Sequence, residues 1–170
     1  VNLFRHRPGG LPARLPALVL LCAAVGCSSA DGGTSAAVPR PTAKTVKLCR
    51  DLDEALPSKV DGRGRRDPEP ASALTAGWGD PAIILRCGVE RPPKMVDPKV
   101  AQGQDADAVA GGVNGVDWLM EKRDGGGYRF TTAGRLAYVE VTVPKDADSS
   151  SVLIDLASAI KKQVPKGIAD

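Results

Sequence analysis

The chain has 170 residues, of which 42% are apolar, 25% charged and 4% aromatic, enough for one ordinary core and too few for two. Of its 23 basic residues, Arg5, Arg7 and Arg14 precede Cys27 and no acidic residue does, so the remainder balances 20 positive against 20 negative charges. A neutral body lacks the cationic surplus that many phosphate contacts require, which argues against nucleic acid as a partner.

Arg5, His6, Arg7 and Arg14 lead into an apolar run from Leu15 to Val25, and small residues follow it. That order predicts a secretory signal peptide over 1–26. The run is too short for a membrane-spanning helix, which needs about 20 residues. Ala24-Val25-Gly26-Cys27 resembles the lipobox of bacterial lipoproteins, in which Leu is favoured where Ala24 stands. The resemblance implies cleavage before Cys27, lipidation of its thiol, and a membrane partner through that anchor. The alternative is plain secretion after cleavage behind Gly26 or Ala30. Ser28 to Lys44 is mostly Ser, Gly, Ala, Thr and Pro with almost no bulky apolar side chain, so 27–44 is expected to be the lipidated cysteine with a flexible tether.

The rest, 45–170, is expected to be one domain. Cys22 falls in the signal and Cys27 at the anchor, which leaves Cys49 and Cys87 to form a disulfide outside the cytoplasm. Leu48, Cys49, Leu52, Ala55 and Leu56 share one helical face between a Thr45 cap and Pro57. Ser58 to Pro70, with Arg63, Arg65 and Arg66, reads as a solvated loop. Pro81 to Cys87 is apolar on nearly both faces and predicts a central strand. Residues 91–115 show no clear period and are expected to include a mobile loop. A strand begins near Val116, turns at Gly125-Gly126-Gly127, returns over Tyr128–Thr132, and turns again at Ala133-Gly134 into Arg135–Val143. Val152, Leu153, Leu156, Ala157, Ile160 and Val164 form the stripe of a last helix, with a cap in the Asp148–Ser151 cluster. The fold expected is α+β: an antiparallel sheet of about four strands, one strand plus a three-strand meander, covered by an N-terminal and a C-terminal helix.

The only histidine, His6, leaves with the signal. Histidine-activated nucleophiles and histidine-ligated metals are thereby excluded, no cofactor is implied, and no catalytic residue stands out. Trp78 and Asp80, with Asn114, Asp117, Trp118 and Arg135, could line a pocket for a sugar or peptidoglycan fragment. The competing reading makes both tryptophans core anchors and Gly79-Asp80-Pro81 and Asn114-Gly115 turns. A hydrolase or transferase acting on envelope glycans would use Asp80, Asp117 or Glu140, with two carboxylates facing one pocket about 5–10 Å apart. A structural accessory subunit would show an exposed apolar patch above a few hundred Å².

Several stretches carry a joint resemblance: Cys49 with Leu56-Pro57, Trp78-Gly79-Asp80-Pro81-Ala82-Ile83 through Leu85-Arg86-Cys87-Gly88, Asn114-Gly115-Val116-Asp117-Trp118, Phe130-Thr131-Thr132 with Gly134-Arg135, and Tyr138-Val139-Glu140-Val141 up to Pro144. Together they resemble the "domain of unknown function 3515" family of exported proteins of high-GC Gram-positive bacteria, over about 45–165. The resemblance implies an envelope lipoprotein or secreted protein and brings no catalytic residue. The function expected is a non-enzymatic binding or interaction module outside the cytoplasm, held to the membrane by lipid, with an envelope protein or glycan as partner.

Overall fold

The apolar spacing from Leu48 to Ala55 folds as helix α1, Ala43–Ala55, in a computed structural model that describes residues 34–169. The signal peptide, Cys27 and the first part of the tether lie outside the described residues. The cap of α1 is Thr42, whose hydroxyl accepts the Thr45 N–H. Thr45, expected at that position, is instead buried in the first turn. The end of the expected tether is bound to the domain. Ala36 N–H donates to Glu69 O at 3.1 Å and Glu69 N–H to Thr34 O at 2.8 Å, and Ala36 and Pro39 are buried.

The stretch expected to be a solvated loop is a clasp. Strands β1, Lys59–Val60, and β2, Arg63–Gly64, pair across the two-residue turn Asp61-Gly62, and Val60 is fully buried. Its arginines are spent on local partners. Arg63 donates to the carbonyls of Pro81 and Asp146, and Arg65 pairs with Asp53 and Asp67.

The main sheet has six antiparallel strands: β3 Thr75–Trp78, β4 Ile83–Cys87, β5 Ala108–Val113, β6 Val116–Lys122, β7 Tyr128–Ala133 and β8 Val139–Val143, in the order β3-β4-β8-β7-β6-β5. Two strands exceed the expected four. β3 is buried at every position, so it has no alternation to read. A Cβ at Gly77 would stand 2.5 Å from Arg66 O, because 64–67 is strapped along this edge. β5 reads Ala-Val-Ala-Gly-Gly-Val and exposes four of its six residues, a pattern that gives little periodic signal. Asn114 and Gly115, with φ of 49° and 80°, form the two-residue hairpin turn into β6. The last strand begins at Val139 and not Arg135, which forms a bridge with Lys166 instead.

Cross-strand partners share a face, so the register puts Ala76, Leu85, Val141, Phe130 and Met120 on one side. Helices α1 and α3, Ser149–Gln163, pack on each other and close this core. All six residues of the expected α3 stripe are buried, and Asp148 caps the helix by accepting the Ser150 N–H at 3.0 Å. The Cys49–Cys87 disulfide, with Cα atoms 5.5 Å apart, joins α1 to the end of β4. That strand is central by pairing but not buried on both faces, since Ile84 and Arg86 on the far side are half-exposed. At one end of the far side, a 3-10 turn at Pro93–Val96 and helix α2, Pro98–Ala101, replace the irregular loop expected there. Val100 and Ala108 pack with Leu119, and Met95 lies against them.

Candidate functional site

The remainder of that far face is a polar groove. Arg86 on β4 stands opposite Glu140 on β8, and their side chains meet at 3.1 Å. Glu121 on β6 stands opposite Arg129 on β7, and the guanidinium reaches both carboxylate oxygens at 3.1 and 3.0 Å. Opposite charges on facing strands stabilise the pairing by a few tenths to about 1 kcal/mol. The hydrogen bond it donates to Glu121 raises Arg129 above the usual guanidinium range, against the lowering effect of its partial burial.

Two clefts meet at Arg86 and Glu140. One, of about 540 Å³, runs between the Pro39–Thr42 segment and Tyr138. The other, of about 360 Å³, runs between Ser35–Ala37 and the guanidinium groups of Arg123 and Arg129. The bound N-terminal segment is therefore a wall of the groove, and Arg86 Nε holds it by donating to Ala37 O at 2.9 Å. Among the described residues, Arg86 Nη2 and Arg129 Nη1 have no hydrogen-bond partner. Glu140 keeps Oε2 as an acceptor. Such a set offers donors to an acidic group, an acceptor to hydroxyls, and the Tyr138 ring as an apolar surface.

Of the residues expected to form a pocket, Asn114, Asp117 and Arg135 gather near the β5–β6 turn, while Trp78 and Trp118 go into the core and Asp80 into the β3–β4 turn. Trp78 is fully buried in the core, its indole N–H donating to Pro57 O at 3.0 Å under the Arg65 guanidinium, 5.3 Å from the ring. Trp118 is buried edge-on to Phe130. Asp80 sits in the β3–β4 turn, its side chain 70% exposed and paired with Arg66. Asn114 belongs to the β5–β6 turn. Asp117 is exposed on β6, on the far face from Trp118. Arg135 is buried and donates to Val164 O at 2.7 Å and Gly115 O at 3.1 Å, tying the end of α3 to that turn. Burial lowers its affinity for the proton, partly offset by Asp117.

The three carboxylates that a glycan hydrolase was expected to use come from three different elements. Asp80 is paired with Arg66 in a turn, Glu140 with Arg86 in the groove, and Asp117 stands on another strand. Among the described residues, no three of His, Cys, Asp and Glu are grouped to hold a metal, and no helix is long and apolar enough to cross a membrane. The groove residues missed as a group are Arg86, Glu140, Glu121 and Arg129. Their signal in the sequence is opposite charge at positions that alternate with core residues on successive strands, which needs the register before it can be read.

The molecule is thus a disulfide-tied α+β domain, with a six-stranded antiparallel sheet covered by helices on one face and grooved on the other. The chain belongs to DUF3515, described as a protein family of unknown function, which matches residues 11–168. Neither a curated protein nor a solved structure matches it.

Proposed function

We propose that this chain is an exported, lipid-anchored protein of the cell envelope whose domain binds a carboxylate-bearing glycan without transforming it. The observation that carries the reading is the groove at Arg86 and Glu140, where guanidinium donors, a carboxylate acceptor and the Tyr138 ring line adjoining clefts. A carboxylate on the ligand would take the open guanidinium donors, and its hydroxyls would donate to Glu140. Glu140 is committed to Arg86 and Glu121 to Arg129, and the further carboxylate of the lining, Glu90, is exposed, which favours binding over hydrolysis. The disulfide supports an oxidising compartment, and Cys27 is the anchor on the strength of its lipobox-like setting.

Two measurements test the two halves. Titrating the protein with soluble muropeptides, followed by amide chemical shifts, should give saturable changes along β4, β7 and β8. The Arg86→Gln/Glu140→Gln pair should weaken binding by about tenfold or more, equivalent to about 1.4 kcal/mol. Absence of saturation, or a change in fragment mass on incubation, overturns the binding reading. Intact mass of the membrane-extracted protein should show a start at Cys27 with diacylglyceryl. A lipid-free start behind Gly26 or Ala30 overturns the anchor.

A further inference from the structure

The two edges of the six-stranded sheet are finished differently. Along β3, Arg66 N–H donates to Gly77 O at 2.7 Å and Gly79 N–H to Gly64 O at 3.1 Å, so the clasp closes that edge. Among the described residues, β5 has no such cover at its centre. Lys122 N–H donates to Asp107 O at 2.8 Å, and the register pairs Ala108 with Glu121 through Val113 with Val116. Alternation then turns the backbone groups of 109, 111 and 113 toward β6 and those of 108, 110 and 112 outward. Asp105 accepts the Asp107 N–H at 2.9 Å, while Ala110 and Gly112 stand exposed at the open edge. Natural edges are usually blunted by Lys, Pro, a bulge or a covering segment. The Ala108–Val113 run contains neither Lys nor Pro.

We propose that this edge pairs with β5 of a second copy of the chain, antiparallel and centred on Gly111, to make one continuous twelve-stranded sheet. The strand is complementary to itself in this register. Ala110 and Gly112 each face the other's counterpart, so both outward N–H groups and both carbonyls are paired. Gly111 meets Gly111 of the second copy at a non-hydrogen-bonded position, where Cα atoms approach to about 4.5 Å. Gly111 has no heavy atom within 4 Å of its Cβ direction, so the face of the strand at this position is open. Val109, 42% exposed in the single chain, comes opposite the half-buried Val113, and this β-branched pair occurs twice across the two-fold axis. Asp107, with its side chain 75% exposed, comes opposite Gly115, alongside which Lys161 runs with Cδ 3.4 Å from the glycine's Cβ direction. The acidic end of each strand thus meets the basic end of the other. A strand-to-strand contact is small, so the dimer is concentration-dependent and not obligate.

Sedimentation equilibrium of the full chain should show twice the monomer mass at high concentration and the monomer on dilution. Gly111→Glu has room in the single chain but sets two carboxylates face to face, and should abolish the dimer with the melting temperature unchanged. Asp107→Lys should weaken it up to about thirtyfold, since a cross-strand charge reversal of up to about 1 kcal/mol is felt twice. Asp107→Lys combined with Lys161→Asp should restore it. Hydrogen exchange at Ala110 and Gly112 should slow as concentration rises. A chain that stays monomeric throughout, a Gly111→Glu variant that still dimerises, or amides at 110 and 112 indifferent to concentration overturns the proposal. Protection of those amides only on addition of another protein assigns the edge to a different partner and also overturns it.

Discussion

Replacing Cys49 and Cys87 together by alanine is expected to lower the stability of the domain by about 4 kcal/mol in the chain-entropy account of disulfides. The bridge spans 38 residues, and breaking it frees a loop holding β1, β2, β3 and nearly all of β4 in the unfolded chain. Both half-cystines are buried in the core, where alanine leaves no unpaired polar atom. At about 3–5 °C per kcal/mol for a domain of this size, the melting temperature should fall by roughly 12–20 °C. Wild-type protein melted with a strong reductant should show a similar loss, and the double variant should be indifferent to it. A variant that melts within a few degrees of wild type would show that helix and sheet packing alone fixes α1 on β4.

That bridge was legible from the sequence because cysteine counting needs no tertiary information. The α3 stripe was legible for a related reason: its six apolar positions repeat at helical spacing, and all six are buried. Where the reading failed, the signal was either absent or cancelled. β3 is buried throughout and contains Gly77 against the strap, so its four residues never alternate. β5 is an exposed edge of small residues and looked like a loop for the opposite reason. The clasp at 58–70 was hidden by its arginines, which look solvated in a linear sequence but fold back onto Asp53, Asp67, Asp80 and Asp146. Its one local sign was Asp61-Gly62, a dipeptide that favours tight hairpin turns. The groove was the least legible feature. Arg86 lies 54 residues from Glu140, and only the β4–β8 register makes them neighbours.

Trp78→Ala is expected to cost about 3–5 kcal/mol, the range for emptying a large aromatic site in a core. The ring is fully buried beside its cross-strand neighbour Ile83 on the helix-covered face, so truncation leaves a cavity beneath the clasp. It also removes the indole N–H that donates to Pro57 O and the surface over which Arg65 lies. Trp78→Phe separates these contributions. It keeps most of the volume and loses the indole hydrogen bond, and should cost less, with about 1 kcal/mol from the bond itself. Muropeptide binding at the groove should survive in the phenylalanine variant, because Trp78 and Arg86 lie on opposite faces of the sheet. The contrary pattern, in which Trp78→Phe leaves the denaturation midpoint unchanged but removes binding, would return the tryptophan to a ligand site. Stability lost with binding retained places it in the core, where it closes the β3 edge by anchoring the clasp, and confines recognition to the charged face.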